Sequence, residues 1–127
     1  MQKHFYIGLG ILLVFLVLGF LVAFCMSRVC DPISIQLENA AQQALSGDLD
    51  QGISLAADAK SRWSASWKGI ATVADHTPMD EIEELFAEIE VFAKAGDGEH
   101  FSACCARLSR LMEAMAEAHS LTWWNLL

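Results

Sequence analysis

The chain has 127 residues, 54% of them hydrophobic, with 16 acidic against eight basic side chains and a formal net charge of −8. That length suits one domain and hardly two. All 16 acidic residues but only six of the eight Lys and Arg lie beyond residue 30, so that portion carries about −10, a surface that repels nucleic acid and sets nucleic-acid binding aside.

The first predicted element is the run Phe5 to Met26, 22 residues without a charge. As a helix it spans about 33 Å, which matches a hydrocarbon core of about 30 Å. Phe5, Leu13, Leu18 and Met26 mark the expected span, and membrane lipid is the expected partner along residues 5–26. Tyr6 sits near one end, and Lys3 and Arg28 bracket the run, where basic side chains reach the interface. A cleaved signal peptide has a shorter apolar region, about 7–15 residues. Lipoprotein processing at Cys25 would want a small residue where Phe24 stands. A retained single-pass anchor in the cell membrane is therefore expected. The positive-inside rule, set by the N-terminal side against Arg28 alone, favours an extracytoplasmic domain by a narrow margin.

The expected division is 1–30, a short tail with the anchor and its boundary, and 31–127, an acidic helical domain. Asp31-Pro32 reads as a helix start, a capping carboxylate with proline at the first helical position. This helix should run to about Ser46 and stop at Gly47. Asp48 then caps a second helix, in which Leu49, Ile53, Ala56, Trp63, Trp67, Ile70 and Ala74 recur at helical spacing. Asp75 to Pro78 breaks it. Thr77 caps a third helix, Asp80 can complete a capping box, and Ile82, Leu85, Phe86, Ile89 and Phe92 form its stripe. Ala95 to Gly98 ends that helix. The fourth carries Phe101, Cys105, Leu108, Leu111, Met112 and Met115.

Strand signals are absent. The fold class expected is all-α: an N-terminal transmembrane helix followed by an antiparallel bundle of about four helices. Gly47-Asp48 and Gly96-Asp97 occupy equivalent turn positions 49 residues apart. Their likeness to a tetratricopeptide hairpin fails on repeat length and signature positions. A good helix stop followed by a good cap explains the echo as well.

The residues that carry chemistry are sparse. The cysteines, Cys25, Cys30, Cys104 and Cys105, lack the paired spacing of a zinc site. Cys105 falls on an apolar stripe, where cysteine packs as a small hydrophobe. Acylation or interchain bridging at Cys25 and Cys30 is the alternative there. Glu81, Glu84 and Glu88 share a face of the third helix, without the Glu-x-x-His partners of a carboxylate-bridged metal site. A solvated face that a basic partner could relieve is the better account. His76, His100 and His119 are scattered, and no nucleophile stands in a recognisable context, so neither enzymatic activity nor a cofactor is expected. Trp63 and Trp67, one turn apart, read as core. The tail Leu121 to Leu127 is unusually apolar for a terminus. Its Trp123, Trp124, Leu126 and Leu127 either pack across the bundle, rest at the membrane interface or dock on a partner.

The anchor, the helix bearing Trp63 and Trp67, His76-x-x-x-Asp80-x-Ile82, the Gly96-Asp97 turn, Leu108-x-x-Leu111 and a tail with Leu121 and Asn125-Leu126-Leu127 together resemble a known layout. It is that of short single-pass membrane proteins from Gram-positive, often spore-forming bacteria, classed as domain of unknown function 4363. The resemblance covers nearly the whole chain, with Trp123-Trp124 and the cysteine pair as departures. It implies a cell-membrane protein and supplies no catalytic or binding residues.

Three functions compete on these grounds. One is a membrane-anchored protein–protein interaction or scaffold module, envelope- or sporulation-related, with Glu81, Glu84, Glu88 and the tail as candidate contacts and a protein partner or self-association expected. The second is a ligand or cation sensor using the acidic third helix. The third is a thiol-active protein using Cys104-Cys105, which would need an accessible thiol of lowered pKa.

Overall fold

The computed structural model describes residues 2–70 and 76–125, with side chains for residues 2–66 and 79–117. Every element among them is helical: α1 (Gln2–Leu45), α2 (Leu49–Ile70), α3 (His76–Ala95) and α4 (Gly98–Asn125). The expected all-α bundle is present. By length and composition α1 is, among the described residues, the one helix able to cross a membrane.

The helix start expected at Asp31-Pro32 does not exist. The apolar run and the first bundle helix are one continuous helix of 44 residues, with Pro32 inside it. Proline removes the bond to the Arg28 carbonyl and crowds it, at a cost of about 3 kcal/mol. Two features let the helix bear that cost. Asp31 and Pro32 are exposed, so water can solvate the freed carbonyl. On the other side Cys30, Ile33, Ser34 and Leu37 are buried, and their packing holds the helical path across the proline. The Asp31 carboxylate accepts a 2.6 Å hydrogen bond from the Ser27 hydroxyl one turn back, rather than capping a new helix.

The two expected Gly-Asp turns are the same device used twice. Gly47 and Gly96 take φ of 98° and 69°, the left-handed conformation that ends a helix. At the first turn Asp48 N–H donates to the Gln43 carbonyl (2.9 Å) and Gly47 N–H to the Ala44 carbonyl (3.3 Å). At the second, Asp97 N–H donates to Phe92 (3.0 Å) and Gly96 N–H to Ala93 (3.2 Å). Each aspartate then caps the next helix, accepting from Gln51 N–H and His100 N–H, both at 3.1 Å. The echo is thus a matched stop and start. The start of α3 at His76 lies just ahead of the cap expected at Thr77, within the usual looseness of helix ends.

Packing follows the order α2–α1–α4–α3. The most extensive interface is α1 against α4; α2 rests on α1, α3 rests on α4, and α2 and α3 scarcely touch. The core contains Met26, Cys30, Ile33 and Leu37 of α1, Ala56, Ala59 and Trp63 of α2, Ile82, Leu85, Phe86 and Ile89 of α3, and Phe101, Cys105, Leu108, Met112 and Met115 of α4. These are largely the stripes the periodicity predicts. Trp67 and Ile70, whose side chains are not among those described, and Ala74 lie outside the described set.

A serine pair pins α1 to α4. Ser109 donates to the Ser34 carbonyl (2.9 Å), and the two hydroxyls lie 2.9 Å apart, both residues buried. The small side chains allow close approach of the backbones, and each buried hydroxyl is satisfied across the seam. Gly52 does the same for α2: a Cβ there would meet the Ala40 carbonyl at 2.8 Å and the Phe101 ring at 3.1 Å. Neither position was singled out by periodicity. Gly52→Ala, favoured by helix propensity alone, should therefore destabilise the bundle by about 1–3 kcal/mol. Thermal unfolding followed by circular dichroism checks this: an unchanged or higher Tm would show that the α1–α2 contact is slack.

Candidate functional site

Helix α3 is acidic outside and apolar inside. Ile82, Leu85, Phe86 and Ile89 face α4 and the core. Asp80, Glu81, Glu83, Glu84, Glu88 and Glu90 are all exposed. The expected trio Glu81, Glu84 and Glu88 is on one exposed face, and the exposed apolar side chain of Val91 follows Glu84 and Glu88 at one to two turns.

Compensation by cations is partial. Lys60 reaches across from α2 to pair with Glu90, and this contact holds the Glu90 carboxyl below its usual range. Arg107 of α4 stands 3.8 Å from Glu81. Glu88 accepts a 3.6 Å contact from the Cys104 thiol. Among the described residues Glu83 and Glu84 have no ion-pair partner. Like charges one turn apart repel, so the face is poised for a cationic neighbour. Among the described residues no three His, Cys, Asp or Glu side chains converge as metal ligands.

Between α2 and α3 runs an open recess of about 290 Å³, lined by Ile53, Ala56, Phe86, Ile89 and Phe101 and bridged by the Lys60–Glu90 pair. It exists because α2 and α3 pack on different central helices. No local sequence signal marks that choice.

The other candidates are structural. Cys105 is fully buried, and burial pushes its thiol up to about 12. Cys30, in the α1 core, is pushed up to about 11 by burial, with the Asp31 charge adding to it. Cys104 is also raised, first by desolvation and then by its bond to Glu88. All four cysteines are free, and Cys25 alone is exposed. His100 stacks on Phe92 at 5.1 Å and contacts the Asp97 carboxylate at 2.7 Å, which ties it to the turn. Trp63 is core. Of the span markers, Phe5, Leu13 and Leu18 are exposed, whereas Met26 is 1% exposed and begins the bundle core. The His76 side chain, and the tail candidates Trp123, Trp124, Leu126 and Leu127, lie outside the described residues.

A family model described as a domain of unknown function (DUF4363) matches residues 20–126. No curated protein and no solved structure matches the chain.

The raised thiols give a direct test of the redox reading, since the thiolate is the reactive form. In the folded chain at pH 8, Cys105 should resist a maleimide for as long as complete labelling of the denatured chain takes. Equal rates in the two states would restore a thiol-active role.

Proposed function

The chain belongs to the DUF4363 family, and we propose that it is a non-enzymatic interaction module tethered to the bacterial cell membrane by α1, presenting the acidic face of α3 to a cationic protein partner. The tether rests on exposure. The most apolar stretch of α1 is only 11% buried, unlike the core helix of a water-soluble protein. Phe5, Ile7, Leu9, Leu13, Phe15, Leu18, Phe20 and Phe24 are among the large apolar side chains left uncovered. At roughly 1.5–3 kcal/mol for each such side chain, leaving them in water costs more than the ~5–15 kcal/mol stability of an ordinary domain. A bilayer removes that cost.

The single observation behind the partner reading is the outward face of α3, where exposed carboxylates stand beside exposed Val91 with few cations to offset them. A basic segment with an apolar contact at its centre is complementary to such a face. Electrostatic attraction of this kind governs approach and selectivity more than final affinity. After the span Arg28 is the one Lys or Arg before Lys60, and by the positive-inside rule so sparse a flank is compatible with a domain on the outer side. The cation-sensor alternative gains no observation of its own.

The test is co-purification of the full-length protein from its native membrane after brief cross-linking. A basic partner should be recovered at low salt, and recovery should fall with rising salt. Glu84→Lys together with Glu88→Lys should reduce recovery about tenfold or more, with helicity unchanged, as two repulsive contacts replace two attractive ones. An equal yield with the reversed charges would remove α3 from the interface. Recovery of nothing would remove the partner.

A further inference from the structure

Three seams of the bundle are packed, α1 on α2, α1 on α4 and α3 on α4, whereas α2 and α3 scarcely touch. The open seam holds two cavities. One is the recess over Ile53, Ala56, Ile89 and Phe101, about 290 Å³ in volume. The other, about 260 Å³, lies along Trp63, Ser64, Glu83 and Ala87. Lys60, Phe86 and Glu90 line both, so the two form one trough. Its floor is apolar: Trp63, Phe86 and Ile89 are each 3% exposed. Each cavity falls short of the ~300–1,000 Å³ that drug-sized ligands occupy, and suits a group the size of a side chain.

The protein itself shows how this trough takes a cation. Lys60, half-buried on α2, lies along both cavities and brings its ammonium to Glu90 on the opposite edge. Long basic side chains behave in this way, with the stem on apolar surface and the charged head in water. Glu83 stands two turns earlier on the same edge of α3, about 10 Å away along the helix, with exposed Ala87 between them. Its surroundings repeat those of Glu90, with Phe86 and Ala87 on its own helix and Trp63 and Ser64 across the seam. Among the described residues, however, no cation pairs with Glu83. One turn beyond Lys60, α2 supplies Ser64, which can hydrogen-bond but brings no charge.

We propose that the Glu83 end of this trough receives a lysine or arginine side chain of the basic partner, with its stem on Trp63, Phe86 and Ala87 and its cationic head on the Glu83 carboxylate. This rests on the partner reading of α3 and adds an anchoring contact on the edge next to the Glu84–Val91 face. Charge selects the occupant. The chain beyond residue 30 carries about −10, and Lys60 already offsets Glu90, which leaves Glu83 as the uncompensated charge of the trough. A neutral or anionic group would fill the space and leave that charge unanswered. A long side chain seated in a pocket is also the kind of contact that concentrates binding energy at an interface.

The test has two arms. In the first, full-length isotope-labelled protein in phosphatidylcholine nanodiscs is titrated with n-hexylammonium, n-hexanol or n-hexanoate, and amide chemical shifts are followed. The ammonium should give saturable shifts at Ser64, Glu83 and Ala87, with n-hexanol about fivefold weaker and no saturable response to n-hexanoate. Glu83→Gln should weaken the ammonium response about fivefold, whereas Glu38→Gln, at an exposed carboxylate of α1, should leave it unchanged. Equal responses to the three probes, or shifts elsewhere, overturn the trough as a cation site and leave the reversed-charge test of α3 standing. In the second arm the cross-linked co-purification is repeated with Glu83→Lys, and recovery should fall about fivefold or more. Unchanged recovery with Glu83→Lys, where Glu84→Lys/Glu88→Lys has lost the partner, overturns this inference alone. Recovery of nothing with the parent chain overturns both.

Discussion

One helix has to satisfy two surroundings, and the rest of the molecule is arranged around that constraint. From Phe5 to about Phe15 α1 is apolar on every face and uncovered; from Met26 to Ala44 it is the central helix on which α2 and α4 pack. A loop between the two parts would have let anchor and bundle fold separately. Instead the helical path is continuous through Pro32, with the Cys30–Ile33–Leu37 side buried in the core. The serine pair and Gly52 follow from this arrangement, because a central helix flanked on two sides works only where its neighbours can approach closely.

Much of the architecture was legible in the sequence, for local reasons. Gly47-Asp48 and Gly96-Asp97 state their own geometry: a residue free to adopt positive φ, then a carboxylate able to accept from the next helix's N–H groups. The stripes of α3 and α4 follow from a 3.6-residue period, and the acidic face of α3 is the complement of its stripe. Asp31-Pro32 misled because the same two residues that start a helix well can also be carried inside one. The outcome depends on packing of residues on the opposite face, and a local motif does not contain that information. The recess between α2 and α3 was hidden for a related reason. It arises from which helix each one chooses to rest on, a choice made by small residues such as Gly52, Ala40 and Ala44 meeting at close range.

The site is legible in chemistry and less so in geometry. Glu81, Glu84 and Glu88 fall on one exposed face, as spacing alone dictates. That Arg107 approaches Glu81 and that Lys60 takes Glu90 from another helix could not be read from sequence separation. Those pairs leave the middle of the face, around Glu84 and Val91, as the less compensated part. Cys105 illustrates the reverse case, in which burial turns one half of a suggestive doublet into packing material.

The uninterrupted path of α1 also sets a working distance. With Phe5–Met26 in a bilayer, the 19 residues from Ser27 to Leu45 rise about 28 Å at most above it. There is no flexible tether to lengthen that reach. On the tether reading, the acidic face of α3 lies in a shallow layer over the membrane surface. A partner diffusing freely in three dimensions would have to find that layer. One already held at the same membrane would meet it by two-dimensional diffusion, at a much higher effective concentration. On that reading, the stiffness of a single helix favours partners held in the same membrane plane.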